Sequence, residues 1–318
     1  MSSQTQSLSI KESWHTQLDG RTFAVLAAFG FSLKAIFVKL AYAAAPVDAS
    51  TLLALRMGIA LPFFLWLART PTDGQAAPLD RSTVGQVLLL GCLGYYLSSL
   101  FDFEGLRYIS AGLERLILYI YPTLVLLLQT WFSKRKPSRG AWQAIACCYL
   151  GLAVAFAHDL RQTGTSADAL IGAGWVLASA VTYALYYLGT GNVVGKLGSM
   201  RLTGLTGAAS SLMVLAHWLL RGEPHQLLAL PAQVWLDAAL MALLSTVLPI
   251  WALAQAIRRM GAGEAAAIGS LGPVLTVAAA WWLLGEQLSL VQLAGLALVM
   301  FGVTRLSPAK PSKTQPAS

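Results

Sequence analysis

The sequence predicts an all-α polytopic membrane protein: ten transmembrane helices built from two inverted five-helix repeats. Three observations carry this. Of 318 residues, 56% are hydrophobic and only 11% are charged, whereas soluble domains carry about 25% charged residues. Apolar runs follow one another from about residue 22 to residue 306, and mean hydropathy is +0.62. The chain also matches itself at an offset of 151 residues.

A hydrocarbon core ~30 Å thick takes about 20 helical residues. Breaking the apolar runs at polar, Pro and Gly punctuation gives spans at 22–44, 50–69, 83–103, 109–132, 138–157, 168–190, 201–220, 233–256, 262–284 and 288–306. FDFEGLRY, with Asp102, Glu104 and Arg107, interrupts the longest stretch and reads as a hairpin turn. Around the spans lie tails at 1–21 and 307–318, and the repeats cover 22–160 and 161–306. The polar N-terminal stretch is not a signal-peptide n-region, and no cleaved signal is expected.

Ten spans put alternate loops on opposite sides. One side, with both tails, collects 15 Lys and Arg; the other collects Arg107, Arg161 and Arg221. Positive loops stay inside, so both termini are expected in the cytoplasm, with the chain in a bacterial inner (plasma) membrane. The same asymmetry accounts for the formal charge of +8 without a nucleic-acid partner. Three cysteines, Cys92, Cys147 and Cys148, form no CxxC pair. No Walker A, HExxH or GxSxG motif occurs. Neither a metal nor a cofactor is expected.

At the 151-residue offset VLAA at 25 meets VLAS at 176, and LRYISAG at 106 meets IRRMGAG at 257. Pro122 falls on Pro273, Trp131 on Trp282 and Gly151 on Gly302. An odd number of spans per half turns the second half upside down, which is a design of secondary transporters.

The residues also carry a resemblance. Phe29, Gly30 and Lys39 in the first span, Leu55 and Arg56 in the second, and the blocks YISAGLERLILYIYPTL at 108 and GAGEAAAIGSLGPVLTVAAAWWLLGEQLS at 261 resemble the EamA-type transporters of the drug/metabolite transporter superfamily. The first block ends FSKRK, where such proteins often carry a Gly-Glu pair like Gly285-Glu286; Val181 and Thr190 replace the Trp-Gly and Lys of the sixth-span pattern. The resemblance implies a ten-helix transporter, often an exporter of amino acids, other metabolites or drugs.

Charges inside a bilayer are costly and face the bundle interior or snorkel. Lys39, Arg56, Asp102, Glu114 and Arg115 are placed in the outer third, either as a structural ion-pair network or as an external gate. Glu114 is the best single candidate for proton binding should transport be proton-coupled. Lys34 falls near the midplane, with no carboxylate expected at its depth, about 140° around the helix from Lys39. It is expected to meet a substrate carboxylate or phosphate. Tyr96, Tyr119, Tyr121, Tyr183, Tyr186 and Ser270 are candidates beside it, with Pro122 and Pro273 as matching kinks.

The function these readings favour is alternating-access transport, with export favoured by the resemblance, of a small organic metabolite such as an amino acid or other carboxylate. Expected partners are that small molecule and membrane lipids. The alternatives are a membrane-embedded enzyme acting on a lipid-linked substrate and a passive channel.

Overall fold

The computed structural model describes residues 19–69, 79–133, 138–163, 166–221, 227, 229–287 and 289–306. Residues 1–18 and 307–318 of the tails, and Lys134, Arg135 and Lys136 of FSKRK, lie outside the described residues.

The described residues are helical with short connections. We number the helices α1 (Gly20–Ala44), α2 (Ala49–Ala68), α3 (Arg81–Gly105), α4 (Ala111–Leu118 and Tyr121–Ser133), α5 (Arg139–Thr163), α6 (Ser166–Leu197), α7 (Ser199–Arg221), α8 (Ala232–Met260), α9 (Ala262–Gly269 and Gly272–Leu284) and α10 (Leu290–Leu306). Eight of them, α1 to α8, are long and apolar enough to cross a membrane; the second piece of α9 and α10 are shorter apolar helices. Large apolar side chains point outward along them, among them Trp131 at 82% and Trp282 at 78% exposure. Lipid, as apolar as these side chains, is the medium such a surface fits.

Several helices are interrupted, and each interruption has a local cause. In α1, the Ser32 hydroxyl turns back on the Ala28 carbonyl at 2.6 Å, and Leu33 separates Gly20–Ser32 from Lys34–Ala44. Such back-bonding bends helices. Pro122 and Pro273 are each the second residue of a new helical piece, after breaks at 119–120 and 270–271. Neither proline therefore kinks a continuous helix. A proline has no N–H to give, and the first turn of a helix does not ask for one.

α3 and α8 each contain a wider π-helical segment, Cys92–Leu97 and Leu243–Val247. These begin 151 residues apart, as do the two proline breaks. Leu33 has no such counterpart, because Ala184 lies within the continuous helix α6.

Repeat-equivalent helices pack side by side. α5 lies on α10, and α2 on α7. Small residues permit the contact between α5 and α10: a Cβ on Gly295 would sit 2.6 Å from the Gly151 carbonyl, and one on Gly302 would sit 2.6 Å from that of Ala144. Residue numbers rise along one helix as they fall along the other. The second pair behaves likewise: Gly204 meets Ala68, Gly207 meets Phe64 and Trp218 donates its Nε1–H to Thr51 Oγ1 at 3.0 Å. Both pairs therefore run antiparallel.

A side chain at Gly295 has nowhere to go. We expect Gly295→Val to cost roughly 1–3 kcal/mol through overpacking, and Gly174→Ala, where a new Cβ meets nothing within 4 Å, to be neutral. Thermal unfolding of the purified variants in detergent checks this. Equal midpoints for the two variants would contradict the close α5–α10 contact.

Candidate functional site

The break in α1 is where several helices meet. The Ser32 hydroxyl, whose one proton is shared between the Ala28 and Gly272 carbonyls, lies 2.9 Å from the latter, and Thr276 Oγ1 lies 3.3 Å from the Ser32 carbonyl, joining α1 to α9. Arg115 Nη2 donates to the Phe31 carbonyl at 2.9 Å, joining α4 to α1. The carbonyls around an interrupted helix turn are thus taken by side chains of other helices.

Just beyond the break stands Lys34. Its Nζ lies 2.6 Å from Asp102 Oδ2 on α3 and 3.7 Å from Glu114 Oε1 on α4. Arg115 Nε lies 3.9 Å from Glu114 Oε2. Asp102 is 1% exposed and Glu114 fully buried. The expectation that Lys34 lacks a carboxylate at its depth is therefore wrong. Asp102, Glu114 and Arg115 do gather, as expected, but they gather around Lys34.

The cause is the position of the hairpin between α3 and α4. Leu106 is fully buried and Ile109 is 1% exposed, while Arg107 is exposed beside the α1–α2 connection, so the apolar side of the turn is packed into the end of the bundle. Lys39 Nζ donates to the Leu106 carbonyl at 3.1 Å. The turn thus sits at the level of Lys39, and the carboxylates one turn deeper reach Lys34. The two lysines, 140° apart on an ideal helix, serve the same segment, 102–106, because each side chain is long enough to bend toward it. Arg56 also departs from expectation. Its Nε donates to Thr246 Oγ1 at 3.0 Å, and its guanidinium lies 5.6 Å from the Phe103 ring centre, with no carboxylate partner among the described residues.

The hairpin is held from above by a group that sequence reading left without a role. Glu286, between α9 and α10, accepts the backbone N–H of Ala111 at 2.8 Å and of Gly112 at 3.3 Å. These N–H groups open the first piece of α4, where a carboxylate is favoured by unsatisfied donors and by the helix dipole. Ser110 completes the start by accepting the Leu113 N–H at 3.1 Å. The clue available in the sequence was the lone Gly285-Glu286 pair, present in one half only.

The tyrosines form a chain of ring contacts on α3, α4 and α6. Tyr119 meets Tyr121 at 6.4 Å, Tyr121 meets Tyr183 at 5.0 Å, Tyr183 meets Tyr186 at 5.7 Å, and Tyr186 meets Tyr95 at 5.5 Å between ring centres. Tyr95 was not singled out from sequence. Tyr96, its neighbour, turns instead to α7, where its hydroxyl lies 3.0 Å from His217 Nδ1. Ser270 lies at the break of α9. A Cβ on the adjacent Gly269 would meet nothing within 4 Å, so that side is open.

Removing one partner of a buried ion pair leaves the other uncompensated, at a cost of ~3–5 kcal/mol. We expect Lys34→Ala and Asp102→Ala each to destabilise on that scale, and the double variant to cost clearly less than their sum. Thermal unfolding of all four proteins gives the cycle. Strict additivity would mean that the two groups do not act on one another.

Comparison with known proteins agrees with this architecture. The EamA-like transporter family matches twice, at residues 19–157 and 170–307. The uncharacterized transporter YcbK of Bacillus subtilis (strain 168) is 31% identical over 297 residues, covering 90% of this chain and 91% of that protein. The uncharacterized transporter sll1319 of Synechocystis sp. (strain ATCC 27184 / PCC 6803 / Kazusa) is 26% identical over 74% of this chain and 70% of its own length. A solved crystal structure aligns with 91% of this chain and 97% of its own, at a TM-score of 0.58 and 16% identity; that likeness concerns the fold alone. With both halves matched and a relative alike along nearly the whole length, the chain belongs to the EamA-like transporter family.

Proposed function

We propose that the protein is a secondary transporter with ten membrane spans in two inverted five-helix repeats. It exports a small organic metabolite, an amino acid or another carboxylate-bearing compound, by alternating access. The observation that carries this is the antiparallel packing of repeat-equivalent helices, α2 on α7 and α5 on α10, with helix breaks and π segments at matching places. Such pseudo-symmetry provides two arrangements of similar energy, one open to each side. The charge asymmetry of the loops supports cytoplasmic termini and a bacterial inner membrane.

On this reading the substrate sits between the chain of Tyr119, Tyr121, Tyr183 and Tyr186 and the break of α9 at Ser270. Lys34, at 16% side-chain exposure, forms the edge of the ion cluster toward that space. Tyr96 belongs to the α3–α7 contact. The end of the bundle bearing the 106–110 hairpin is the external one. There the ion cluster and the Glu286 cap act as the closed gate. Asp102 and Glu114, sharing one ammonium, are the pair through which proton coupling would act.

Counterflow tests transport. Vesicles containing the purified chain and preloaded with unlabelled amino acids or organic acids should accumulate the same labelled compound transiently. Linear, non-saturating leakage would favour a channel, and no exchange across a broad panel would count against transport of this class. An imposed pH gradient that accelerates exchange would add proton coupling.

The gate has its own test. Glu286→Ala frees two N–H groups of the hairpin, so a cysteine at the buried Ile109 should react with an external, membrane-impermeant maleimide several-fold faster than in the parent. Unchanged labelling would remove Glu286 from the gate.

A further inference from the structure

Arg56 stands apart from the other buried charges. It is 6% exposed, on the face of α2 that also buries Leu52, Leu53 and Ala60. Its Nε is used by Thr246, but its Nη1 is buried without a partner. A guanidinium keeps its proton in proteins, so it cannot escape burial by becoming neutral.

The nearby carboxylates are already engaged. Asp102 is held by Lys34, Glu114 by Lys34 and Arg115, and Glu104 by Arg107. Asp237 is buried on α8, nine residues before Thr246 and about 13 Å away along the helix, and it accepts from Gln233 Nε2 at 3.1 Å. Lys34, Lys39, Arg56 and Arg115 outnumber Asp102 and Glu114 in this part of the bundle, and Arg56 is the one of these four that is itself buried, with no carboxylate in ion-pair reach among the described residues.

Thr246 and Ser245 lie in the π-helical segment of α8, and the buried Ser245 hydroxyl has no partner either. π segments often occur at functional sites. α2 and α3 run side by side, with Arg56 against Phe103 at one level and Phe64 against Tyr95 at another, their ring centres 6.1 Å apart. Eight residues separate the two levels, about 12 Å along a helix, and Tyr95 continues into Tyr186. A small organic acid held by the arginine at one level would extend its body toward the aromatic rings of the next.

We propose that Arg56 is the residue that binds the substrate's carboxylate. Its free guanidinium edge and the Ser245 hydroxyl meet the anion, and Thr246 holds the guanidinium in place. The substrate supplies the negative charge that the bundle lacks. In this conformation the site is closed, and it fills when the bundle opens. This rests on the transporter reading and names the recognition group within it. It also moves anion recognition from Lys34, which the carboxylates already occupy, to Arg56.

The test uses the purified full chain and two probes of one shape, 4-fluorobenzoate and its neutral amide, followed by fluorine NMR. A charge-assisted, two-point contact corresponds to at least about a tenfold preference for the carboxylate. We expect that preference in the parent, its loss in Arg56→Gln, and a reduced preference in Arg56→Lys, whose ammonium cannot reproduce the fork. Should Arg56→Gln fail to fold, Arg56→Lys decides: an undiminished preference there overturns the proposal. So does a parent that does not distinguish the probes, or an Arg56→Gln protein that still does. A purely structural Arg56 would lower the unfolding temperature and leave the preference intact. Carboxylate binding through Arg56 without counterflow in vesicles would remove the transporter reading and keep the anion site. Counterflow with an unaltered preference in Arg56→Gln would remove the anion site alone.

Discussion

The arrangement depends on one electrostatic requirement: Asp102 and Glu114 are buried among apolar helices, and an ionised carboxylate there must have a cation against it. Lys34 meets both. For its ammonium to reach them, the end of α3 and the start of α4 must pack against α1, and the hairpin backbone buried there must be satisfied. Lys39 takes the Leu106 carbonyl and Glu286 takes two N–H groups at the start of α4. The break in α1 belongs to the same requirement, since Lys34 opens the second piece of that helix and Arg115 takes a carbonyl exposed beside it. The ion cluster, the packed hairpin and the interrupted helix are three parts of a single solution.

Much of the architecture was legible in the sequence because hydropathy and the 151-residue offset are properties of the chain alone. Eight of the ten apolar runs fall on α1 to α8, which are long and apolar enough to cross a membrane, and the last two on shorter apolar helices; α5, α6 and α8 extend beyond their runs. The positions of Pro122 and Pro273 marked real breaks. Depth was not legible. Counting residues from a span end assumes that neighbouring helices end level with one another, and α1 runs on past Lys39 while the 106–110 turn already receives the Lys39 ammonium. That error separated Lys34 from Asp102 and Glu114 and left Lys34 without its partners. The π segments leave no mark in hydropathy, and an extra residue in a helix turn shifts which neighbour faces inward. In CLGYYL this turns Tyr95 to the tyrosine chain and Tyr96 to His217, a choice that periodicity alone does not make.

The pseudo-symmetry is one of backbone, not of charge. Lys34, Arg56, Asp102, Glu114 and Arg115 fall on Leu185, Gly207, Leu253, Ala265 and Ala266 at the 151-residue offset. Every ionic group of the cluster thus has a neutral counterpart. The place equivalent to the ion cluster is an apolar one, where Ala265 and Leu253 pack with Phe23, Ala24, Ala27, Ala252 and Ala256. The place equivalent to Arg56 is Gly207, against which Phe64 lies so closely that a Cβ would overlap its ring.

On the alternating-access reading, the two ends of the bundle therefore close by different physics. One is held by ion pairs in a medium of low dielectric, where separating charges is costly until water enters. The other is held by small apolar side chains, where separation exposes modest area to water and costs roughly 25 cal/mol per Å². Symmetric backbones with unequal closures do not rest midway: the ionic end favours staying shut, and opening it requires either water or a new counter-charge. A carboxylate bound at Arg56 brings such a charge into the same half of the bundle that carries the cluster. Asp102 and Glu114 then no longer supply the only negative charge near Lys34, Lys39, Arg56 and Arg115. The substrate that balances Arg56 is on these grounds also the ligand that lowers the barrier to opening the ionic end, and a neutral analogue of the same shape does not.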